Sequence, residues 1–67
     1  MFATGKPVER VYNAIAYGYT TQKAIAIVTR LEYHEIGDAL ADLIIQSGKV
    51  KSKRNVDSDE DRVYFIS

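Results

Sequence analysis

The feature that most constrains the fold is the order of three apolar-periodic segments, a glycine stop and a charged alternating segment within 67 residues. The first three segments repeat apolar residues at the spacing of an amphipathic helix, and the last alternates with the period of a strand. With no cysteine available for disulfides, residues 1–67 are expected to form one small domain with a compact core. The pattern predicts an α+β domain of three helices followed by a two-stranded hairpin.

The first predicted helix runs from about Pro7 to Tyr17, because proline suits a first helical position and Gly18 suits a C-terminal cap. Its apolar residues recur at helical spacing and are expected to form one buried stripe. That stripe contains Val8, Val11, Tyr12 and Ile15.

The second predicted helix covers about Gln22 to Thr29. The preceding segment, Tyr19 to Thr21, is β-branched and aromatic, which suits a small extra strand beside the hairpin. Thr20 or Thr21 is expected to cap the helix. Its buried face is expected to contain Ala24, Ile25, Ile27 and Val28, with Lys23 and Arg30 outside it.

The third helix has the most regular helical pattern and is predicted to end at Gly48. The preceding Glu32 to His34 lacks an apolar period and is predicted to form the turn. The stripe that faces the core is expected to contain Ile36, Leu40, Leu43 and Ile44.

Past Gly48 the chain alternates, with lysines at positions 49, 51 and 53 on one side and Val50, Ser52 and Arg54 on the other. Arg62 to Ile66 is aromatic and β-branched, so these two stretches are predicted to be the strands of a hairpin. Their connection, residues 55–61, is acidic and too long for a tight turn, so a mobile tip is expected.

Composition excludes several classes of protein. The formal net charge is zero, which argues against nonspecific coating of nucleic acid. No apolar run approaches the roughly 20 residues that span a bilayer, so a soluble, cytoplasmic protein without a membrane partner is expected. The single histidine, the absence of cysteine and the lack of any catalytic, phosphate-binding or metal-binding motif predict no enzyme activity and no cofactor.

The motifs around the second and third predicted helices follow a recognisable order. They are Thr21 followed by Ile25-Ala26, a turn at Leu31 to Tyr33, then Ile36, Ala39-Leu40 and Ile44 ahead of Gly48-Lys49-Val50, with Val63-Tyr64-Phe65 at the end. With these residues the chain resembles the winged helix-turn-helix superfamily over nearly its whole length. In that family the third helix enters the major groove and the hairpin, or wing, contacts the DNA backbone.

The resemblance implies a small stand-alone protein that binds double-stranded DNA in transcription regulation, with a homodimer expected. The short length suggests a phage or plasmid gene. The residues that the resemblance places near DNA are Thr21, Gln22, Lys23, Tyr33, His34, Lys51, Lys53 and Arg54.

The predicted third helix departs from this family because residues 32–47 contain no Lys or Arg. The segment instead contains Glu32, Glu35, Asp38 and Asp42. Carboxylates accept hydrogen bonds from cytosine, but neighbouring phosphates repel them. The alternative is a protein-interaction module that binds its partner through Asp38, Ala41, Asp42 and Ile45. A purely structural interpretation is that Ile45 packs beneath the wing and that the acids form a solvated outer face.

Two charged clusters also admit structural interpretations. The hairpin cations either contact phosphates or pair with the acids of the connection, Asp57, Asp59, Glu60 and Asp61. That connection lacks the central glycine and final glutamate of an EF-hand, so no calcium site is expected. The helix dipole explains the acids at the start of helix three more simply than a metal site formed by Glu32, His34, Glu35 and Asp38.

Overall fold

The computed structural model of the chain describes residues 5–54 and 62–67. Three helices precede a two-stranded antiparallel hairpin, which confirms the predicted α+β fold class. The elements are α1 Pro7–Tyr17, α2 Gln22–Thr29, α3 Tyr33–Ala41 with a π-helical turn Asp42–Gln46, β1 Val50–Arg54 and β2 Arg62–Ile66. The predicted bounds of α1, α2 and β2 are confirmed, whereas the connection at 55–61 lies outside the described residues.

Local sequence features begin and end the first two helices. Pro7 occupies the first turn of α1, and Gly18, at φ 127°, ends the helix with its N–H donating to the Ala14 and Ile15 carbonyls. The Thr21 hydroxyl accepts a hydrogen bond from the Ala24 N–H at 3.2 Å and caps α2, as predicted.

The turn between α2 and α3 depends on a buried threonine. Thr29 is 0% exposed, and its hydroxyl donates to the Ile25 carbonyl at 2.6 Å and accepts from the Leu31 N–H at 3.3 Å. The next residue, Arg30, has a left-handed backbone with φ 60°. The chain therefore turns sharply after α2, and only residues 30–32 separate α2 from α3.

Three details of the predicted helices are wrong. Ile27 is 68% exposed, because the eight-residue α2 meets the core along Ile25 and Thr29, one helical turn apart. The third helix begins at Tyr33, so Tyr33 and His34 are helical and do not form the turn. The Glu35 carboxylate fixes this start by accepting a hydrogen bond from the Glu32 N–H at 3.3 Å.

The third error concerns the end of that helix, which widens from α to π geometry at Asp42. The Ser47 N–H donates to the Asp42 carbonyl at 3.0 Å, five residues earlier, and the Lys49 N–H donates to the Leu43 carbonyl at 2.9 Å. The widened turn keeps Leu43 at 3% exposure and leaves Ile45 at 79%.

The core lies between the helices and the inner face of the hairpin. Of the predicted stripe of α3, Ile36, Leu40 and Leu43 are buried, whereas Ile44 is only partly buried. Val8 and Tyr12 of α1 are also only partly buried, at the edge of the core. The core residues are Val11, Ala14, Ile15, Ile25, Leu31, Ile36, Ala39, Leu40, Leu43, Val50 and Tyr64.

The hairpin is attached to the helices through both of its strands. Val50 of β1 and Tyr64 of β2 are buried in the core, and the strands pair in register with Val50 opposite Ile66. The expected extra strand at Tyr19 to Thr21 is reduced to one backbone hydrogen bond, from the Tyr64 N–H to the Thr20 carbonyl at 2.8 Å.

Candidate functional site

One face of the hairpin points away from the core and combines lysines with apolar side chains. Lys51 pairs with Phe65, and Lys53 pairs with Val63, so the four side chains share one face of the ladder. We call Lys51, Lys53, Val63 and Phe65 the outer hairpin face. Both lysines are exposed, and Phe65 is 39% exposed.

The described strands contain no acidic residue that could neutralise this face. Within residues 5–54 and 62–67, the one ion pair joins His34 Nδ1 to a Glu32 carboxylate oxygen at 3.4 Å, far along the chain from the hairpin. The alternative in which the hairpin cations pair with acids requires the acids at positions 57, 59, 60 and 61. These residues lie outside the described part of the chain. All charged residues of the described strands are therefore Lys or Arg.

The remaining hairpin cations have different surroundings. Arg54 lies opposite Arg62 in the ladder, on the other face from Lys51 and Lys53, and both arginines are exposed. The Arg62 guanidinium donates to the Ser52 hydroxyl at 3.4 Å. Lys49 precedes the strand, and its ammonium lies 6.0 Å from the centre of the Tyr12 ring of α1.

A groove of about 360 Å³ connects the outer hairpin face to the segment that precedes α2. Lys53, Val63 and Phe65 line it from the hairpin, and Thr20 lines it from the other side. From there the chain enters α2, where the Gln22 side-chain amide donates to the Tyr33 carbonyl at 3.3 Å. These contacts link the hairpin, the start of α2 and the start of α3 in one continuous path.

The residues that the family resemblance placed near DNA differ in how free their side chains are. Lys23 is exposed, Tyr33 is 56% exposed, and the His34 side chain is 71% exposed. Thr21 and Gln22 are partly buried and already make the cap and the link to Tyr33. Sequence reasoning missed Phe65 and Val63 as members of the site, because only the strand register shows which residues lie opposite the lysines.

The acidic surface of the third helix contains the four residues of the protein-interface alternative. Asp38 and Ala41 are exposed, Asp42 is partly buried, and Ile45 is 79% exposed. The interpretation in which Ile45 tucks under the wing is therefore wrong. An isoleucine exposed to this degree leaves an apolar side chain among carboxylates on the outside of the domain.

The start of α3 also contains a small cluster of metal-type ligands. Ligand atoms of Glu32, His34 and Glu35 lie within 4.8 Å of one another, and Asp38 is not part of this group. The Glu35 carboxylate bonds the Glu32 N–H, and His34 contacts the Glu32 carboxylate. These two contacts both lie within the first turn of α3.

Comparison of the chain with protein-family models, with curated proteins and with solved structures finds no match. Across the described ranges, no helix is both long enough and apolar enough to cross a bilayer.

Proposed function

We propose that this chain is a small winged-helix protein that binds double-stranded DNA, mainly through the outer hairpin face, and acts in transcription regulation. The observation that supports this most is the pair of exposed lysines, Lys51 and Lys53, without a carboxylate partner in the described strands. Lysines that neutralise phosphates release condensed counterions, which supplies most of the sequence-independent affinity for DNA.

The path from the hairpin to α2 extends the binding surface. Lys53 and Thr20 line one groove, and the N-terminal turn of α2 follows with the exposed Lys23. The N-terminus of a helix favours a phosphate through its free N–H groups and its dipole. We expect Lys51 and Lys53 to position the duplex on the outer hairpin face, with Lys23 contributing from α2. Arg54, on the other face of the ladder, is expected to contribute from the end of β1.

The start of α3 is then the part of the domain nearest the bases. Tyr33 and His34 lie in its first turn, and Gln22 is bonded to the Tyr33 backbone. Base-edge contacts give sequence specificity, whereas phosphate contacts only position the protein. Asp38 and Asp42 lie further along α3, where phosphate repulsion opposes deep entry of the helix. Binding led by the hairpin follows from this distribution of charge.

A protein-interaction module is the second candidate, favoured by the 79% exposure of Ile45 beside the exposed Ala41. An apolar side chain at the centre of a polar surface suits a protein interface. A homodimer built on this face would place Asp38 and Asp42 against the same acids of a second copy, because a two-fold interface pairs a surface with itself. A different protein is therefore the better partner for this face.

The test of DNA binding is a titration of a fluorescent duplex at several salt concentrations. Replacing Lys51, Lys53 and Arg54 by Ala together should flatten the slope of log affinity against log salt by up to about 3 units, at about 0.9 unit per lost phosphate contact. Lys6→Ala is the control, because this exposed lysine precedes α1 and lies outside the hairpin. An unchanged slope in the triple variant, or no wild-type binding at low salt, would contradict the proposal.

A further inference from the structure

A second surface of the molecule is a groove of about 650 Å³ between the start of α1 and the middle of α3. It contains no residue of the outer hairpin face and none of α2. Its volume lies in the range of clefts that bind ligands. The lining residues are Lys6, Pro7, Val8 and Glu9 on one side and Glu35, Asp38, Ala39 and Asp42 on the other.

The groove has an apolar floor between acidic rims. Ala39 is 2% exposed and Val8 is partly buried, and both line the groove. Glu35, Asp38 and Asp42 are spaced i, i+3, i+7 and so form one line of carboxylates along α3, over about 10 Å at 1.5 Å per residue. Glu9 adds a carboxylate from α1, against the single positive charge of Lys6.

These carboxylates are available to a partner. In the described part of the chain, Glu9, Asp38 and Asp42 take part in no ion pair, and Glu35 uses one carboxylate oxygen to bond the Glu32 N–H. The metal-type cluster includes Glu35 but none of the other three groove acids. The acids of the groove are thus spread along it, which suits several separate cations better than one metal ion.

We propose that this groove binds a short basic segment of a partner protein. An aliphatic side chain of that segment lies on Val8 and Ala39. The neighbouring Lys or Arg side chains start from the opposite face of an extended segment and reach the carboxylates by bending their long aliphatic stems back toward the groove. A line of about 10 Å matches three extended residues at about 3.3 Å each. Charge complementarity favours such a segment and opposes an acidic peptide or a nucleic acid.

This inference goes beyond DNA binding, because the groove and the outer hairpin face share no residue. It rests on the second candidate function, since Asp38 and Asp42 belong both to the groove and to that protein-interaction surface. The outer hairpin face attracts phosphates, whereas the groove repels them and attracts cationic side chains. A peptide in the groove therefore leaves the residues of the outer hairpin face unoccupied.

The probe is a capped peptide of six residues in which Lys alternates with Leu, titrated into the full chain by calorimetry at moderate salt. Two comparison peptides replace Leu by Ser or Lys by Glu. The Lys-Leu peptide should bind at least tenfold more tightly than either. Equal binding of the Lys-Ser peptide, or no binding of the Lys-Leu peptide, would overturn the proposal.

Matched variants locate the binding. Asp38→Asn should weaken the Lys-Leu peptide about three- to fivefold, and Asp38→Asn with Asp42→Asn about tenfold or more. Glu32→Gln removes one carboxylate from the same helix outside the groove, so it should change affinity less than twofold. Equal losses of peptide affinity for Glu32→Gln and Asp38→Asn would mean that the peptide is held by general charge attraction. That result would overturn the assignment of the groove as the binding site. Helical circular dichroism confirms that each variant is folded.

Three further measurements distinguish a basic peptide from other possible occupants of the groove and distinguish peptide binding from the proposed DNA binding. Sedimentation measures self-association of the chain. If the wild type associates and Asp38→Asn abolishes the association, the groove binds a second copy, and the proposal of a basic partner segment is overturned. Displacement of the Lys-Leu peptide by millimolar calcium would assign it to an ion instead. The Lys51/Lys53/Arg54 triple variant should retain full peptide affinity whether or not the wild type binds DNA, and a loss in that variant would place the peptide on another surface.

Discussion

The hairpin and the third helix differ in charge and in how they are anchored. α3 and the turn before it contain four carboxylates and no Lys or Arg over residues 32–47, and the inner side of the helix supplies Ile36 at 0% and Leu40 at 4% exposure. The described strands contain Lys and Arg and no acid, and they bury mainly Val50 and Tyr64. A formal net charge of zero thus hides two surfaces of opposite sign.

The difference teaches that the two elements constrain function separately. α3 is fixed by the core on one side, and its outer acids limit how closely it approaches phosphates. The hairpin contributes less to the core, and among the described residues its outer lysines have no carboxylate partner. Under the proposed DNA-binding function, the described strands and not α3 therefore supply the cations that contact phosphates.

The largest expected effect contrasts how the two elements are anchored. Leu40→Ala should lower the free energy of unfolding by about 2 to 5 kcal/mol, because it leaves a cavity at the centre of the core. Phe65→Ala on the outer hairpin face should cost less than about 1 kcal/mol, since the side chain is already 39% exposed. Urea denaturation measures both. Similar losses would show that the hairpin is anchored as firmly as the helix.

A second prediction tests the turn that sets the position of α3. Thr29→Val should cost about 1 to 3 kcal/mol, because it leaves the buried Leu31 N–H without its acceptor. Thr29→Ser keeps the hydroxyl and loses one methyl, which should cost about 1 kcal/mol. If Ser is more damaging than Val in thermal unfolding, packing and not the hydroxyl holds this turn.

Most helix and strand bounds could be predicted because their signals are local. Pro7, Gly18 and Thr21 act within one helical turn of their own positions, and the apolar stripe of α3 repeats three times. The end of α2 could not be predicted in this way. Tertiary contacts decide how this two-turn helix packs on its neighbours. They therefore also decide whether Ile27 or Thr29 faces the core.

The candidate sites were harder to predict than the fold, for a related reason. The lysines of β1 are visible in the sequence, but placing Phe65 beside them requires the strand register, which a seven-residue connection does not fix. The groove between α1 and α3 joins Glu9 to Asp42 across more than thirty residues of chain. Helical periodicity indicates which face of each helix is polar, but only packing shows that two such faces enclose an apolar floor.

A third prediction sharpens the contrast in charge. Changing Asp38 and Asp42 to Asn removes two negative charges and leaves the core side of α3 unaltered. If α3 approaches a duplex without using these acids to read cytosine, nonspecific DNA affinity should rise by less than tenfold and sequence discrimination should fall. Affinity for specific and random duplexes at moderate salt measures both. An affinity that falls would mean that the carboxylates contact bases.

The smallest expected effect compares the two exposed apolar side chains, one from each element. Ile45→Ser should change the free energy of unfolding by no more than about 0.5 kcal/mol, because Ile45 is 79% exposed and leaves no cavity. It should also leave DNA affinity unchanged, since the side chain lies on the acidic helix and not on the outer hairpin face. Phe65→Ser should lower DNA affinity several-fold, because the ring lies opposite Lys51 in the ladder. Fluorescence titration of one duplex with both variants measures this difference. A loss for Ile45→Ser that matches the loss for Phe65→Ser would place the helix in contact with the duplex, and the separation of the two elements by function would then be wrong.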